Sequence, residues 1–262
     1  MNEVNNKNKS FYWYLKNRLL IISISAIFIL AAIVFTVWSV SAPIKKVKNF
    51  NETYGTNSDG KPCYDHPSLQ NAVKETSYLT AFNTLAKNDS IGLIVNLSDS
   101  LISLVLKGVI IHNAQIMSFS TDGFFKALDI CAYQNLFASP IEISSQDASI
   151  EKEPVVIKKA PKSEEEASTA PYFPDTLKNK RIADIELKIA VGFNIYIHDG
   201  TDGCDKANEN VSTPGETWKN IKRLLIFRKP EYEPSIHICI QKNDALSIYR
   251  ALPAKALLIM KI

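Results

Sequence analysis

Cys239 follows His237 by two residues in the run Ser-Ile-His-Ile-Cys-Ile-Gln of residues 235–241. A thiolate attacks an amide carbonyl, but a free cysteine with its ordinary pKa of about 8.5 is mostly protonated at neutral pH and needs a base such as histidine beside it. The alternating isoleucines predict a strand, and a short helical pattern, a turn proline and a last apolar run at 256–260 follow it. This order indicates a candidate nucleophile site at Cys239.

Other interpretations of the same residues remain open. The cysteine segment is also typical of a buried strand, because cysteine is among the most buried residue types. Cys204 is a rival nucleophile, although the polar residues after it favour a loop. Histidines and cysteines are also metal ligands, but neither Cys-x-x-Cys nor His-Glu-x-x-His spacing occurs, so we predict no metal and no cofactor. The residues in question are His66, His112, His198, His237, Cys63, Cys131, Cys204 and Cys239.

Three stretches, taken together and in order, resemble the catalytic domain of the L,D-transpeptidase family. Residues 91–112 alternate strand patterns with a polar turn and a Lys-Gly turn, like the hairpins that open the family's sheet. Residues 195–200, Ile-Tyr-Ile-His-Asp-Gly, are similar to the strand that carries the family's upstream histidine. The third stretch is the cysteine segment, so the resemblance covers most of the chain after about residue 90.

The resemblance implies acyl transfer on peptidoglycan stem peptides through a thioester on Cys239. His198 would be the general base, and His237 would lie beside the thiol and orient the site. Backbone amides near Cys239 would bind the oxyanion, where charge develops in the tetrahedral intermediate. The residues expected to contact substrate are Tyr196, Ile238 and Gln241.

Three departures from the family pattern favour an alternative function. Ile236 stands where the family has serine or threonine, Ile238 where it has glycine, and Gln241 where it has arginine or asparagine. The alternative is a catalytically inactive relative that serves as a cell-envelope binding or scaffold protein. A further alternative is an unrelated membrane-tethered β protein.

The N-terminal part of the chain predicts a membrane anchor. Residues 19–44 contain no charged residue and are long enough to cross the roughly 30 Å hydrocarbon core as a helix. We therefore expect a cytoplasmic segment at 1–18, a transmembrane anchor at 19–42 and a juxtamembrane tether at 43–66. With the inner-membrane orientation that the resemblance favours, the rest of the chain lies in the periplasm. An exported domain permits disulfides, such as Cys63 with Cys204 or Cys131, but spacing does not fix the pairing, and a catalytic Cys239 must stay reduced.

The remaining residues, 67–262, predict one mainly β domain, a mixed β-sheet sandwich or barrel-like fold with a few short helices. Residues 67–87 have apolar positions at helical spacing behind a Pro-Ser start. Two excursions interrupt the domain, a charged one at about 149–175 and an insertion at about 199–234. The net charge of +3 is too small to indicate nucleic-acid binding, so the expected partners are stem peptides and the lipid bilayer.

Overall fold

The structure is a computed structural model that describes residues 22, 25–26, 29–30, 32–34, 36–37, 41–55, 66–150, 152, 184–200, 204 and 232–262. The predicted cytoplasmic segment and most of both excursions lie outside these residues. The chain divides into two compact units, residues 1–46 with 215–232 and residues 47–214 with 233–262. The described residues of the first unit up to Lys46 are helical. All candidate site residues belong to the second unit.

The second unit is built on one mixed sheet of nine strands in the order β3-β2-β1-β9-β5-β6-β7-β8-β4. The strands are β1 (Gly92–Asn96), β2 (Leu101–Leu106), β3 (Val109–Gln115), β4 (Ser118–Thr121), β5 (Ile141–Ala148), β6 (Ile185–Ile189), β7 (Phe193–Asp199), β8 (Ser235–Ile240) and β9 (Leu257–Lys261). The helices are α1 (Gln70–Leu85), α2 (Gly123–Lys126), α3 (Ile130–Phe137) and α4 (Lys242–Ala251), with a 3-10 turn at Pro67–Leu69.

The opening hairpins form as the sequence predicts. β1 pairs antiparallel with β2, and β2 pairs antiparallel with β3. The β2–β3 turn contains only Lys107 and Gly108, with φ angles of 51° and 78°. Positive φ at both central residues is what a tight two-residue hairpin requires, and glycine reaches it without steric cost.

The predicted helix at 67–87 is confirmed and covers the sheet. The 3-10 turn begins after His66, whose side chain accepts a hydrogen bond from the Ser68 amide, and α1 continues from it. Ala81 and Leu85 of α1 are buried against apolar residues of three strands. Those residues are Ile94 of β1, Val105 of β2 and Ile259 of β9.

The C-terminal order of strand, short helix and last strand is also confirmed, as β8, α4 and β9. The pairing of β9 is not local, because it lies parallel to β1 and antiparallel to β5. The last strand therefore joins the opening hairpins to the part of the sheet that contains the candidate site.

Strands β6, β7 and β8 have one apolar and one polar face. Side chains alternate between the faces of a strand, so the odd positions of β7 and the even positions of β8 share one side. Apart from the buried Asp199 at the end of β7, these positions are apolar and almost completely buried: Phe193, Ile195, Ile197, Ile236, Ile238 and Ile240. The Phe125 ring of α2 packs edge-on against Phe193, with centroids 5.5 Å apart.

The predicted fold class is wrong. The sandwich or barrel is replaced by one mixed nine-stranded sheet with several helices, one of them sixteen residues long. No helix among the described residues is long and apolar enough to cross a membrane, so the transmembrane helix predicted at 19–42 is not found among them. The alternation of apolar residues identified strands correctly, but it does not say which strands become neighbours, and that choice separates a single sheet from a sandwich.

Candidate functional site

The polar face of β7 and β8 brings the candidate residues together. The two strands run parallel and in register, so that Asn194 lies opposite Ser235, Tyr196 opposite His237 and His198 opposite Cys239. Neighbouring strands are about 4.8 Å apart, and side chains of register partners lie on the same face. The three pairs therefore form two short rows of polar side chains on one surface.

Four of the side chains on this face form a continuous hydrogen-bonded chain. The Nδ1 atom of His198 lies 2.9 Å from Oδ1 of Asp184, and its Nε2 atom lies 3.1 Å from Nδ1 of His237. The Nε2 atom of His237 lies 3.3 Å from the hydroxyl of Ser235. The chain thus leads from a carboxylate through two imidazoles to a hydroxyl group.

The carboxylate fixes the direction of these hydrogen bonds. A carboxylate only accepts, so His198 donates to Asp184 from Nδ1, and in the neutral imidazole this tautomer leaves Nε2 as an acceptor. His237 then donates from Nδ1 to that nitrogen, and its own Nε2 is left to accept. Ser235 donates its hydroxyl proton to His237. One proton on each imidazole satisfies the whole chain, and the last acceptor faces a potential nucleophile.

Burial keeps the second imidazole neutral. The pKa of His237 is lowered from 6.5 to about 4, first by burial, which disfavours the charged form, and then by the neighbouring His198. Asp122 partly opposes this effect by favouring the charged form. His237 is therefore an unprotonated base at neutral pH.

The ring planes are held nearly parallel. Tyr196 stacks on His237 with a centroid distance of 4.8 Å and an interplanar angle of 14°, and the two imidazoles are tilted by only 3°. The Tyr196 hydroxyl lies 3.4 Å from Oε1 of Glu186. Stacking and this polar contact define the plane in which His237 presents its two nitrogens. Tyr196, which we predicted to contact substrate, here contacts the histidine ring.

The predicted nucleophile is oxidised in this structure. Cys239 forms a disulfide with Cys204, with their Cα atoms 5.4 Å apart, and Cys239 is completely buried. Cys131 is disulfide-bonded as well. Neither of the pairings considered from the sequence, Cys63 with Cys204 and Cys63 with Cys131, included Cys239. A sulfur atom in a disulfide has no thiolate with which to attack a carbonyl, so catalysis by Cys239 requires reduction first.

The other two predicted substrate contacts lie away from the polar face. Ile238 is completely buried in the apolar layer, where it is the register partner of Ile197. Gln241 is exposed and precedes α4, and its side chain makes no capping hydrogen bond.

Sequence reasoning missed Asp184 and Ser235. Asp184 lies immediately before β6, between this strand and the charged excursion predicted at about 149–175, and nothing in its surroundings marked it as a partner of His198. Ser235 could have been found, because it lies two residues before His237 in the same predicted strand and must share its face. No group of three or more histidine, cysteine or acidic residues in the described part of the chain could hold a metal ion.

The sequence matched no protein-family model and no curated protein, and the fold matched no solved structure.

Proposed function

We propose that this protein is an acyl-transfer enzyme that uses Ser235 as its nucleophile. The observation that carries the proposal is the unbroken hydrogen-bonded chain from Asp184 through His198 and His237 to the serine hydroxyl. Serine alone is a weak nucleophile, and a base within hydrogen-bond reach is what activates it in serine hydrolases. The second imidazole extends this arrangement by one step.

The chemistry proceeds in two halves. Ser235 Oγ attacks the carbonyl carbon of an ester or amide while its proton moves to Nε2 of His237. The resulting positive charge is stabilised because His237 donates from Nδ1 to His198, which in turn donates to Asp184. When the tetrahedral intermediate collapses, the leaving group takes the proton from His237, and an acyl-serine remains. Water or an amine then attacks this ester by the same path and releases the free Ser235.

The pKa and the exposure of the residues fit these roles. A general base must be unprotonated at the working pH, and the lowered pKa of His237 meets that condition. Ser235 and His237 are both partly exposed, whereas Cys239 is completely buried. A substrate therefore has access to the serine end of the chain.

A second candidate function is the cysteine L,D-transpeptidase activity on peptidoglycan stem peptides. One observation favours it: the parallel register makes His198 the direct neighbour of Cys239. Reduction of the Cys204–Cys239 disulfide by a dithiol would free a thiol beside an imidazole. In that case Cys239 would form a thioester, and an amine from another stem peptide would resolve it.

Covalent labelling distinguishes the two nucleophiles. The full chain is treated with a fluorophosphonate, which modifies activated serines, and the adduct is located by mass spectrometry of its peptides. We expect one adduct on Ser235 in the oxidised protein, and none in Ser235→Ala. Ser120→Ala is the matched control. Ser120 is the β4 register partner of His237 on the same face, but His237 hydrogen-bonds to His198 and Ser235 instead.

A parallel experiment addresses the cysteine. The dithiol-reduced protein is treated with a carbapenem, which acylates the catalytic cysteine of L,D-transpeptidases. An adduct that is lost in Cys239→Ala, together with no fluorophosphonate adduct at Ser235, would replace the serine proposal with the second candidate. Absence of both adducts from folded protein would favour the inactive envelope protein.

A further inference from the structure

We infer that Asn194 donates the side-chain hydrogen bond that stabilises the oxyanion when Ser235 attacks, and that Glu233 holds its amide in position. This inference rests on the proposed function, because an oxyanion forms only if Ser235 acylates. It assigns a catalytic role to a residue that the sequence did not single out, and it moves the oxyanion site away from the backbone around Cys239.

The register of β7 and β8 places Asn194 beside the nucleophile. Asn194 is the parallel register partner of Ser235. The stacking of the next pair, Tyr196 on His237, shows that register partners of these strands meet on the same face. Asn194 and Ser235 each precede that pair by two residues and therefore lie on the same face, about one strand spacing apart. An atom bonded to Ser235 Oγ would be within reach of a short amide side chain.

Glu233 determines which end of the amide is fixed and which remains available. Nδ2 of Asn194 donates to Oε2 of Glu233 at 2.9 Å. A carboxylate only accepts, so the nitrogen of the amide must face it. An amide nitrogen has two hydrogens, and among the residues that the structure describes Nδ2 has no second acceptor. Asn194 is only 5% exposed, so its remaining N–H lies in a largely dehydrated environment where a hydrogen bond to a charged oxygen is strong.

The backbone near Ser235 is not well placed for this role. The amide of Asn194 donates to the Pro234 carbonyl, and the amide of Asp122 donates to the Ser235 carbonyl. These hydrogen bonds lie in the plane of the sheet, whereas the serine side chain stands roughly perpendicular to it. Stabilisation of an oxyanion above the sheet therefore calls for a side-chain donor. Asparagine serves as such a donor in other acyl-transfer enzymes, where its removal lowers kcat by about 10²–10³-fold.

The test uses the full chain and p-nitrophenyl acetate as an activated ester probe. In Asn194→Ala and in Asn194→Asp, which keeps the side-chain shape but removes the donor, we expect kcat to fall by about 100-fold with little change in KM, because the hydrogen bond forms only as the oxyanion develops. Asn113→Ala is the matched control, since Asn113 also hydrogen-bonds through its side chain on the sheet, to Ser103 of β2, and should leave kcat unchanged.

Further measurements separate a chemical from a structural role. Binding of phenylboronic acid, which forms a tetrahedral adduct with an activated serine, should weaken about as much as kcat falls. The acid limb of the pH profile should stay where it is in the wild type, because the histidines are untouched. Titration of reactive Ser235 with a fluorophosphonate counts the folded, competent molecules, so partial unfolding cannot imitate the effect.

The outcomes are distinguishable. If Ser235→Ala retains the esterase activity, the proposed function itself fails. If Ser235→Ala is inactive but both Asn194 variants keep kcat within about threefold of wild type, the role of Asn194 is overturned while the serine proposal stands. A loss confined to KM would likewise overturn it, because that pattern indicates ground-state binding.

Discussion

The two ends of the sheet bury their residues in different ways. At one end, all five residues of β1 are buried, the three in its middle are apolar, and α1 packs across the strand. At the other end, β7 is just as buried, but its even positions are Asn194, Tyr196 and His198. A buried polar group is costly unless it is hydrogen-bonded, and the side chains of these three residues all have partners. Burial of apolar surface at the first end stabilises the fold. Hydrogen bonds at the second end hold an ordered set of polar groups in place.

This difference explains why β7 and β8 can carry chemistry. Each imidazole has neighbours on both nitrogens, so its orientation is fixed before any substrate binds. Fixed donors and acceptors do not have to reorganise during a reaction, which is the main source of electrostatic catalysis. If the polar end alone carries the chemistry, substitutions at the apolar end change stability and leave catalysis intact.

The largest expected effect is on catalysis by His237. Replacement by alanine removes the base from Ser235 and should lower kcat/KM for p-nitrophenyl acetate by about 10³–10⁴-fold, leaving the residual rate typical of a broken triad. His112→Ala is the control at the other end of the sheet, where His112 lies 3.3 Å from Asp244. Equal activities in the two variants would show that the polar chain has no catalytic role.

The next effect is on stability at the apolar end. Leu93 of β1 is completely buried, and Leu93→Ala should lower the free energy of unfolding by about 2–5 kcal/mol, because burial is lost and a cavity remains. Urea denaturation at pH 7.5 measures this change. We expect kcat per fluorophosphonate-titrated molecule to stay within about twofold of wild type. A large fall in that value would mean that the two ends are coupled.

The pH dependence of stability and activity tests the polar end of the sheet. The pKa of His237 is about 4 in the folded protein and about 6.5 when unfolded, so the unfolded state binds this proton first as the pH falls. The contribution of neutral His237 to the free energy of unfolding is therefore complete above about pH 6.5 and is lost between about pH 6.5 and pH 4. Activity should persist well below pH 6.5 and decline near pH 4, as the base becomes protonated.

The comparison of wild type with His237→Leu isolates this effect from other titrating groups. The variant should show a smaller loss of unfolding free energy between pH 7 and pH 4.5 than the wild type does. An activity midpoint near pH 6.5 would contradict a buried, neutral His237.

The smallest expected effect concerns ring stacking. Tyr196→Leu removes an aromatic contact worth about 0.5–1.5 kcal/mol and should lower kcat by a few-fold, with KM unchanged, because His237 loses its fixed plane. Tyr196→Phe keeps the stacking and should restore most of the activity. If both variants raised KM instead, Tyr196 would be a substrate contact, as the sequence predicted.

The local elements of the fold could be predicted from the sequence, and their assembly could not. The helix at 67–87, the Lys107-Gly108 hairpin and the final strand-helix-strand order all follow from short-range patterns. The insertion of β9 between β1 and β5 depends on contacts across more than a hundred residues, which periodicity does not encode. The predicted sandwich was wrong for this reason.

The site was likewise predictable in part. The spacing to Cys239 singled out His237, the family resemblance singled out His198, and the structure brings the two rings into contact. The redox state of Cys239 could not be predicted from the sequence. Its partner Cys204 is 35 residues away, and the sequence does not fix which cysteines pair with each other. Asp184 was missed because a single carboxylate before a strand has no local signature that separates it from a solvated one.

The hydrogen-bonded chain itself can be tested directly by NMR of the oxidised protein with ¹⁵N-labelled histidine at pH 7. The chain predicts that His198 and His237 are both protonated on Nδ1 and unprotonated on Nε2, and that Asp184→Asn disturbs both signals. A proton on Nε2 of His237, or a charged imidazole at that position, would leave Ser235 without a base and would contradict the account.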